Sequence, residues 1–126
     1  MRKADFNQEE YWRNLIEMSL TRLFILYILS DGPSYGYALK DKVALFSRGL
    51  CTPSEGGLYP ALGSMVRAGL LAVQPRLVRD HRRKVYYITP KAKEAFTVGI
   101  KVWRQVVPLL EEIYRKRKGF RRVKIT

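Results

Sequence analysis

Side chains recur at helical spacing along the first part of the chain, at Trp12, Leu15 and Ile16, Ser19 and Leu20, then Leu23, all apolar except Ser19. This periodicity predicts a helix over residues 7–29, apolar nearly all round at its end, stopped by the turn chemistry of Asp31-Gly32-Pro33. Ser34 then reads as the N-cap of a second helix to residue 46, carrying Tyr37, Leu39 and Val43. The run Thr52-Pro53-Ser54-Glu55 has the form of a capping box with proline at the first helical position. It predicts a third helix to residue 68, with Leu58, Leu62, Met65 and Val66 inward and Gly69 as its left-handed stop. Residues 70–79 and 83–89 are rich in Val, Leu, Tyr and Ile and read as two strands, with Asp80-His81-Arg82 as their turn. Thr89-Pro90 opens a last long helix to residue 118.

Three helices, a hairpin and a helix, in that order, describe a mainly α fold: a winged helix-turn-helix followed by a long C-terminal dimerisation helix. The expected organisation is a flexible N-terminus (1–6), a winged-helix DNA-binding domain (7–89), the C-terminal helix (90–118) and a basic tail (119–126).

The last helix carries a heptad pattern. Phe96, Trp103 and Leu110 are spaced by seven, as are Ile100, Val107 and Tyr114 with an offset of four. A second stripe (Ala95, Val102, Val106, Leu109, Ile113) runs beside it, and one helix does not bury both against a small wing. A partner copy is therefore expected on this seam. The competing arrangement packs both stripes within one chain, with Trp12 and the first helix over the second stripe. Pro108 is expected to kink or end the helix, because its ring opposes the Arg104 carbonyl.

Charge sharpens the expectation. The 126 residues hold 24 Lys and Arg against 11 Asp and Glu, a net charge of +13 that favours polyanionic partners. Seven bases (Arg115, Lys116, Arg117, Lys118, Arg121, Arg122, Lys124) lie near the C-terminus, where a solvated frayed end explains them as well as a ligand does. The second cluster (Arg76, Arg79, Arg82, Arg83, Lys84, opposed by Asp80) sits at the predicted wing and suits phosphate or minor-groove contact. His81 reads as an exposed loop residue near phosphate. The glycines at 56 and 57 cost about 1 kcal/mol each in a helix interior and Pro60 about 3, an expense consistent with close approach of a bulky partner. A loose loop with Tyr59 as plain core is the competing explanation.

Enzyme chemistry is poorly supplied. One histidine and one cysteine offer no nucleophile pair and no metal cluster, no glycine-rich phosphate loop follows a strand, and the close acid pairs Glu9-Glu10 and Glu111-Glu112 lie at opposite ends. No catalytic residue, metal site or cofactor is expected. Cys51 precedes the third helix, where a helix N-terminus lowers a thiol pKa and favours redox sensing; the other reading is a small buried residue in a turn. The longest apolar run, Leu23 to Leu29, is short of the ~20 residues of a membrane span, and the polar N-terminus lacks the form of a signal peptide, so no membrane and a reducing cytoplasm are expected.

Three segments carry a resemblance. LYILSDGPSYGYAL (26–39), SEGGLYPAL (54–62) with Ala68-Gly69-Leu70, and RKVYYIT (83–89) resemble the three linked signatures of the PadR family of transcriptional regulators, in the right order over residues 15–100. The resemblance implies a winged helix, a homodimer through the C-terminal helix of the compact branch, repression from palindromic operators, and a recognition helix around Tyr59. Gly57 stands where the family usually has threonine, Val85 replaces the first of two aromatic positions, and Ala92 stands where glycine is usual. The candidate contacts to double-stranded DNA are Ser34, Tyr37, Thr52, Ser54, Gly57, Tyr59, Arg79, His81, Arg82, Arg83 and Lys84. The candidate dimer seam is Phe96, Ile100, Trp103, Val107, Leu110 and Tyr114. Resemblance to compact relatives also admits a flat, apolar effector stacked on Trp103 near Phe96; a tryptophan buried as dimer core is the plainer alternative. A nonspecific RNA- or chromatin-associated protein working through its basic tail is the alternative function.

Overall fold

The computed structural model describes residues 5–117. Along the chain come α1 (Glu9–Ser30), β1 (Ser34–Tyr35), α2 (Gly36–Phe46), α3 (Glu55–Arg67), β2 (Leu71–Val78), β3 (His81–Ile88) and α4 (Pro90–Lys116). Two compact units form, one through Phe96 and one from Thr97. Of the N-terminal stretch 1–6, Asp5 and Phe6 are described. The Asp5 carboxylate accepts from the Asn7 amide, and the Phe6 carbonyl accepts from the Trp12 indole at 2.8 Å. Of the C-terminal bases, Lys118, Arg121, Arg122 and Lys124, with the whole tail 119–126, lie outside the described residues.

The first unit folds around the side chains that the apolar periodicity selects. Ile25 and Leu29 of α1, Leu39 and Val43 of α2, Leu58, Leu62 and Met65 of α3, Leu71 of β2 and Ala92 of α4 are all buried. Each large aliphatic side chain so removed from water contributes roughly 1.5–3 kcal/mol before conformational entropy is charged against it. Val66 packs at the edge of this core. Gly69 has φ 80°, the left-handed stop expected after α3. Pro90 opens α4 at its first position.

Several local expectations are corrected. Ser34 does not cap α2. It lies in β1, a two-residue strand not predicted from the sequence, paired with Tyr86 while Tyr35 pairs with Val85. The sheet order is β1-β3-β2, with β3 central. Tyr35 occupies the N-cap of α2 without a side-chain bond. Thr52 and Pro53 do not begin α3. Ser54 is the N-cap, its hydroxyl accepting from the Gly57 amide at 3.2 Å, and the Thr52 amide is held instead by the Glu17 carboxylate at 2.7 Å. The hairpin turn is Arg79-Asp80, both left-handed (φ 50° and 64°), so His81 and Arg82 belong to β3. Two left-handed central residues match the twist of the flanking strands, which is why the loop closes in two residues. Pro75 is tolerated because β2 is an edge strand. Pro108 does not end α4, which runs on to Lys116.

Cys51 is fully buried, and burial, with the Glu17 carboxylate as a second cause, pushes its thiol pKa up against a smaller opposing hydrogen bond from Thr21. Of the two readings of Cys51, activation by a helix N-terminus is opposed by desolvation, and the small buried residue stands.

Candidate nucleic-acid interface

The first turn of α3 is exposed from Ser54 to Gly57, and so are Tyr59 and Pro60, while Leu58 and Ala61 turn into the core. A Cβ added at Gly56 meets only the Ser54 hydroxyl at 3.8 Å, and at Gly57 the same atom at 3.7 Å. These are ordinary contacts, so nothing inside the described residues requires a glycine at either place. Pro60 supplies no amide for the Gly56 carbonyl, so that exposed turn lacks the usual i+4 donor at this position. The bare backbone of this turn is thus available to something outside the chain. Gly56→Ala is expected to stabilise the fold by up to about 1 kcal/mol in urea unfolding while weakening duplex DNA binding roughly tenfold, since the methyl group blocks close approach. Equal or tighter binding would remove the steric reason for the glycine.

Beside this turn stands the wing. Arg79, His81, Arg82, Arg83 and Lys84 are all exposed. Arg82, Arg83 and Lys84 line a cleft of about 260 Å³ together with Gly36, Tyr37 and Tyr59. The fold therefore brings wing cations to the helix that presents Tyr59. Tyr37, on the first turn of α2, is half exposed; its ring stacks on Tyr35 (centroids 5.5 Å apart, planes at 14°) and lies 4.8 Å below the Arg83 guanidinium carbon.

Gly36 is the seat of this arrangement, a role not predicted from the sequence. A Cβ there would come 2.9 Å from Tyr86 Cε2 and 3.2 Å from Tyr59 Cε1, so both rings pack onto bare backbone. Burial, with a smaller effect of Tyr59, raises the Tyr86 hydroxyl pKa, which keeps that ring neutral in the core. The alternation of Tyr35, Gly36 and Tyr37 was the available signal: a glycine between aromatics marks a place where backbone meets rings.

Two of the sequence-derived candidates stand apart. Ser34 is buried, its hydroxyl donating to the Tyr35 carbonyl and accepting from the Lys42 ammonium at 2.9 Å, so it is removed from the contact set. Thr52 is exposed but precedes α3, and its amide is engaged by Glu17. In α4, Phe96 is half-buried and stacks on Tyr27 at 6.2 Å, and Trp103 is half-buried. Ile100, Val107, Leu110 and Tyr114 are exposed, as are Val102, Leu109 and Ile113 of the adjacent stripe.

A helix-turn-helix whose second helix exposes bare backbone and a tyrosine, next to a cationic hairpin, defines a winged-helix nucleic-acid-binding protein. The chain belongs to the PadR family: the profile of the Transcriptional regulator PadR-like family matches residues 25–98. It is 33% identical over 81 residues to Transcriptional regulator Rv3488 of Mycobacterium tuberculosis, covering 64% of this chain and 73% of that protein. Among solved structures, it resembles a PadR-like transcriptional regulator from Bacillus cereus at 28% identity and a TM-score of 0.67, covering 79% of this chain and 96% of that one. A PadR family transcriptional regulator from Eggerthella lenta, at 20% identity and a TM-score of 0.73 over 83% and 90% of the two chains, shares the fold. The protein is a DNA-binding transcriptional regulator and not an enzyme. No described helix is long and apolar enough to cross a membrane.

Proposed function

We propose that the chain acts in the cytoplasm as a homodimeric repressor that reads a palindromic operator with α3 and grips the flanking backbone with its wing. The observation that carries this reading is the convergence of Tyr59, Tyr37 and the cations of β3 around one exposed cleft. Tyr59 and Ser54 contact base edges or sugar-phosphate, and Gly56 and Gly57 let the α3 backbone approach. The wing supplies sequence-independent affinity that falls with salt. Two copies joined along α4 set their recognition helices about 34 Å apart, one turn of the duplex. The exposed apolar residues of α4 support such a partner, since stripes of this length are rarely left in water. A flat apolar effector stacked on Trp103 would act by changing the spacing of the two α3 helices, and only by its difference in affinity for the two spacings.

Footprinting on the DNA upstream of the protein's own gene tests the proposal. The expected result is a protected pair of inverted half-sites, with sequence selectivity lost on Tyr59→Ala while circular dichroism stays unchanged. Uniform, length-dependent protection would favour the nonspecific coating protein, and selectivity retained by Tyr59→Ala would remove α3 as the reader.

A further inference from the structure

Strand alternation sends the wing's basic side chains to opposite faces of the hairpin. Arg76 and Arg83 are direct cross-strand partners on one face, while Arg82 and Lys84 share the other, opposite Leu77 and Pro75. Two guanidinium groups directly across a ladder repel. Here each is turned onto a tyrosine: Arg76 donates to the Tyr87 hydroxyl at 3.0 Å, and Arg83 lies over the Tyr37 ring at 4.8 Å. The side chains of Arg82 and Lys84, both exposed, make no hydrogen bond or ion pair among the described residues.

The Arg83 contact also has a special place. The backbone ladder that ties β3 to β1 ends at the pair Tyr35–Val85. Two residues nearer the wing tip, Tyr37 and Arg83 continue that attachment through side chains, and the Tyr37 ring is itself backed by Tyr35. The column Tyr35–Tyr37–Arg83 therefore joins the wing to the first turn of α2, where Gly36 also receives the Tyr59 ring of α3.

Building on the duplex-DNA reading above, we propose that Arg83 and Tyr37 are a positioning pair that sets the wing's angle to α3, whereas Arg82 and Lys84 carry the wing's phosphate contacts. Arg83 spends its planar cation on the tyrosine face, a geometry that lysine reproduces poorly. Arg82 and Lys84 are left with their charges unengaged.

The test uses the full chain with two fluorescent duplexes, one selected by the wild-type protein from a random library and one scrambled. Arg83→Lys and Tyr37→Leu are each expected to lower the selected-to-scrambled affinity ratio about two- to fivefold. The double variant is expected to lose no more than either single one, because both remove the same contact. Tyr37→Phe keeps the ring and is expected to keep the coupling to Arg83. Arg82→Gln and Lys84→Gln should each reduce the slope of log affinity against log salt by about 0.9, on both duplexes, while Arg83→Gln leaves that slope in place. Multiplicative losses in the double variant would overturn the proposal, as would an Arg83→Gln slope reduction equal to that of Arg82→Gln. If Arg82→Gln and Lys84→Gln change neither affinity nor slope, the wing is not on DNA, and the reading beneath the proposal fails with it.

Discussion

Replacing Val107 and Leu110 together by lysine is expected to leave the protein monomeric and to weaken operator binding by about a hundredfold or more. Both side chains are exposed on α4, as are Ile100 and Tyr114 of the same heptad seam. If a second copy covers this seam, two added ammonium groups must be buried against an apolar partner without counter-charges, and the interface opens. Lysine has good helix propensity, so α4 itself should persist and circular dichroism should change little. Loss of affinity then reports loss of the second half-site, because binding through one half-site forfeits the effective concentration that linkage provides. Sedimentation and operator titration on the same sample separate the outcomes. A variant that stays dimeric would place the interface elsewhere, and a monomer with undiminished affinity would dispose of the two-half-site mechanism.

The second large effect is expected at Gly36. Gly36→Ala should destabilise the first unit by about 1–3 kcal/mol in urea unfolding, the range for overpacking a filled site. The added methyl would lie 2.9 Å from a ring carbon of Tyr86, which is buried in the core. Tyr59, partly exposed, can move instead, but moving it shifts the ring that α3 presents. Selectivity for DNA should therefore fall along with stability. Adding Tyr86→Phe should not restore either property, since the obstructing atom is a ring carbon and not the hydroxyl. Wild-type stability in Gly36→Ala would show that the two rings give way at no cost.

The parts of this fold that were legible in the sequence are those set by local chemistry. The left-handed stop at Gly69, the proline opening α4, and the inward face Leu58, Leu62 and Met65 follow from residue type and period alone. The parts that were misread are decided by partners far along the chain. Thr52-Pro53-Ser54-Glu55 contains two capping hydroxyls, and local rules conflict: the capping-box spacing and Pro53 favour Thr52, whereas cap preference favours Ser54. The choice falls to Ser54 because the Thr52 amide is taken by Glu17, 35 positions away. β1 is too short to show a strand period, and exists because Ser34 and Tyr35 meet Tyr86 and Val85. The turn lies one residue earlier than the sequence predicts, because Arg79 gives no glycine-like signal for its left-handed backbone.

The same division runs through the candidate site. The amino-acid sequence alone determined the order of three helices, a hairpin and a helix, because periodicity and helix stops are properties of neighbouring residues, and its three linked motifs carry the resemblance to the PadR family. It also supplied the candidate side chains for DNA contact. Only the tertiary structure decided which of them face outward and unengaged. Ser34 is buried beneath Lys42, Arg83 rests on Tyr37, Arg76 on Tyr87, and Arg82 and Lys84 remain open. A hydroxyl or a guanidinium carries the same local signature whether it meets a phosphate or an internal ring. Its role is settled by the group that folding brings within a few ångströms, and that group is usually distant in sequence.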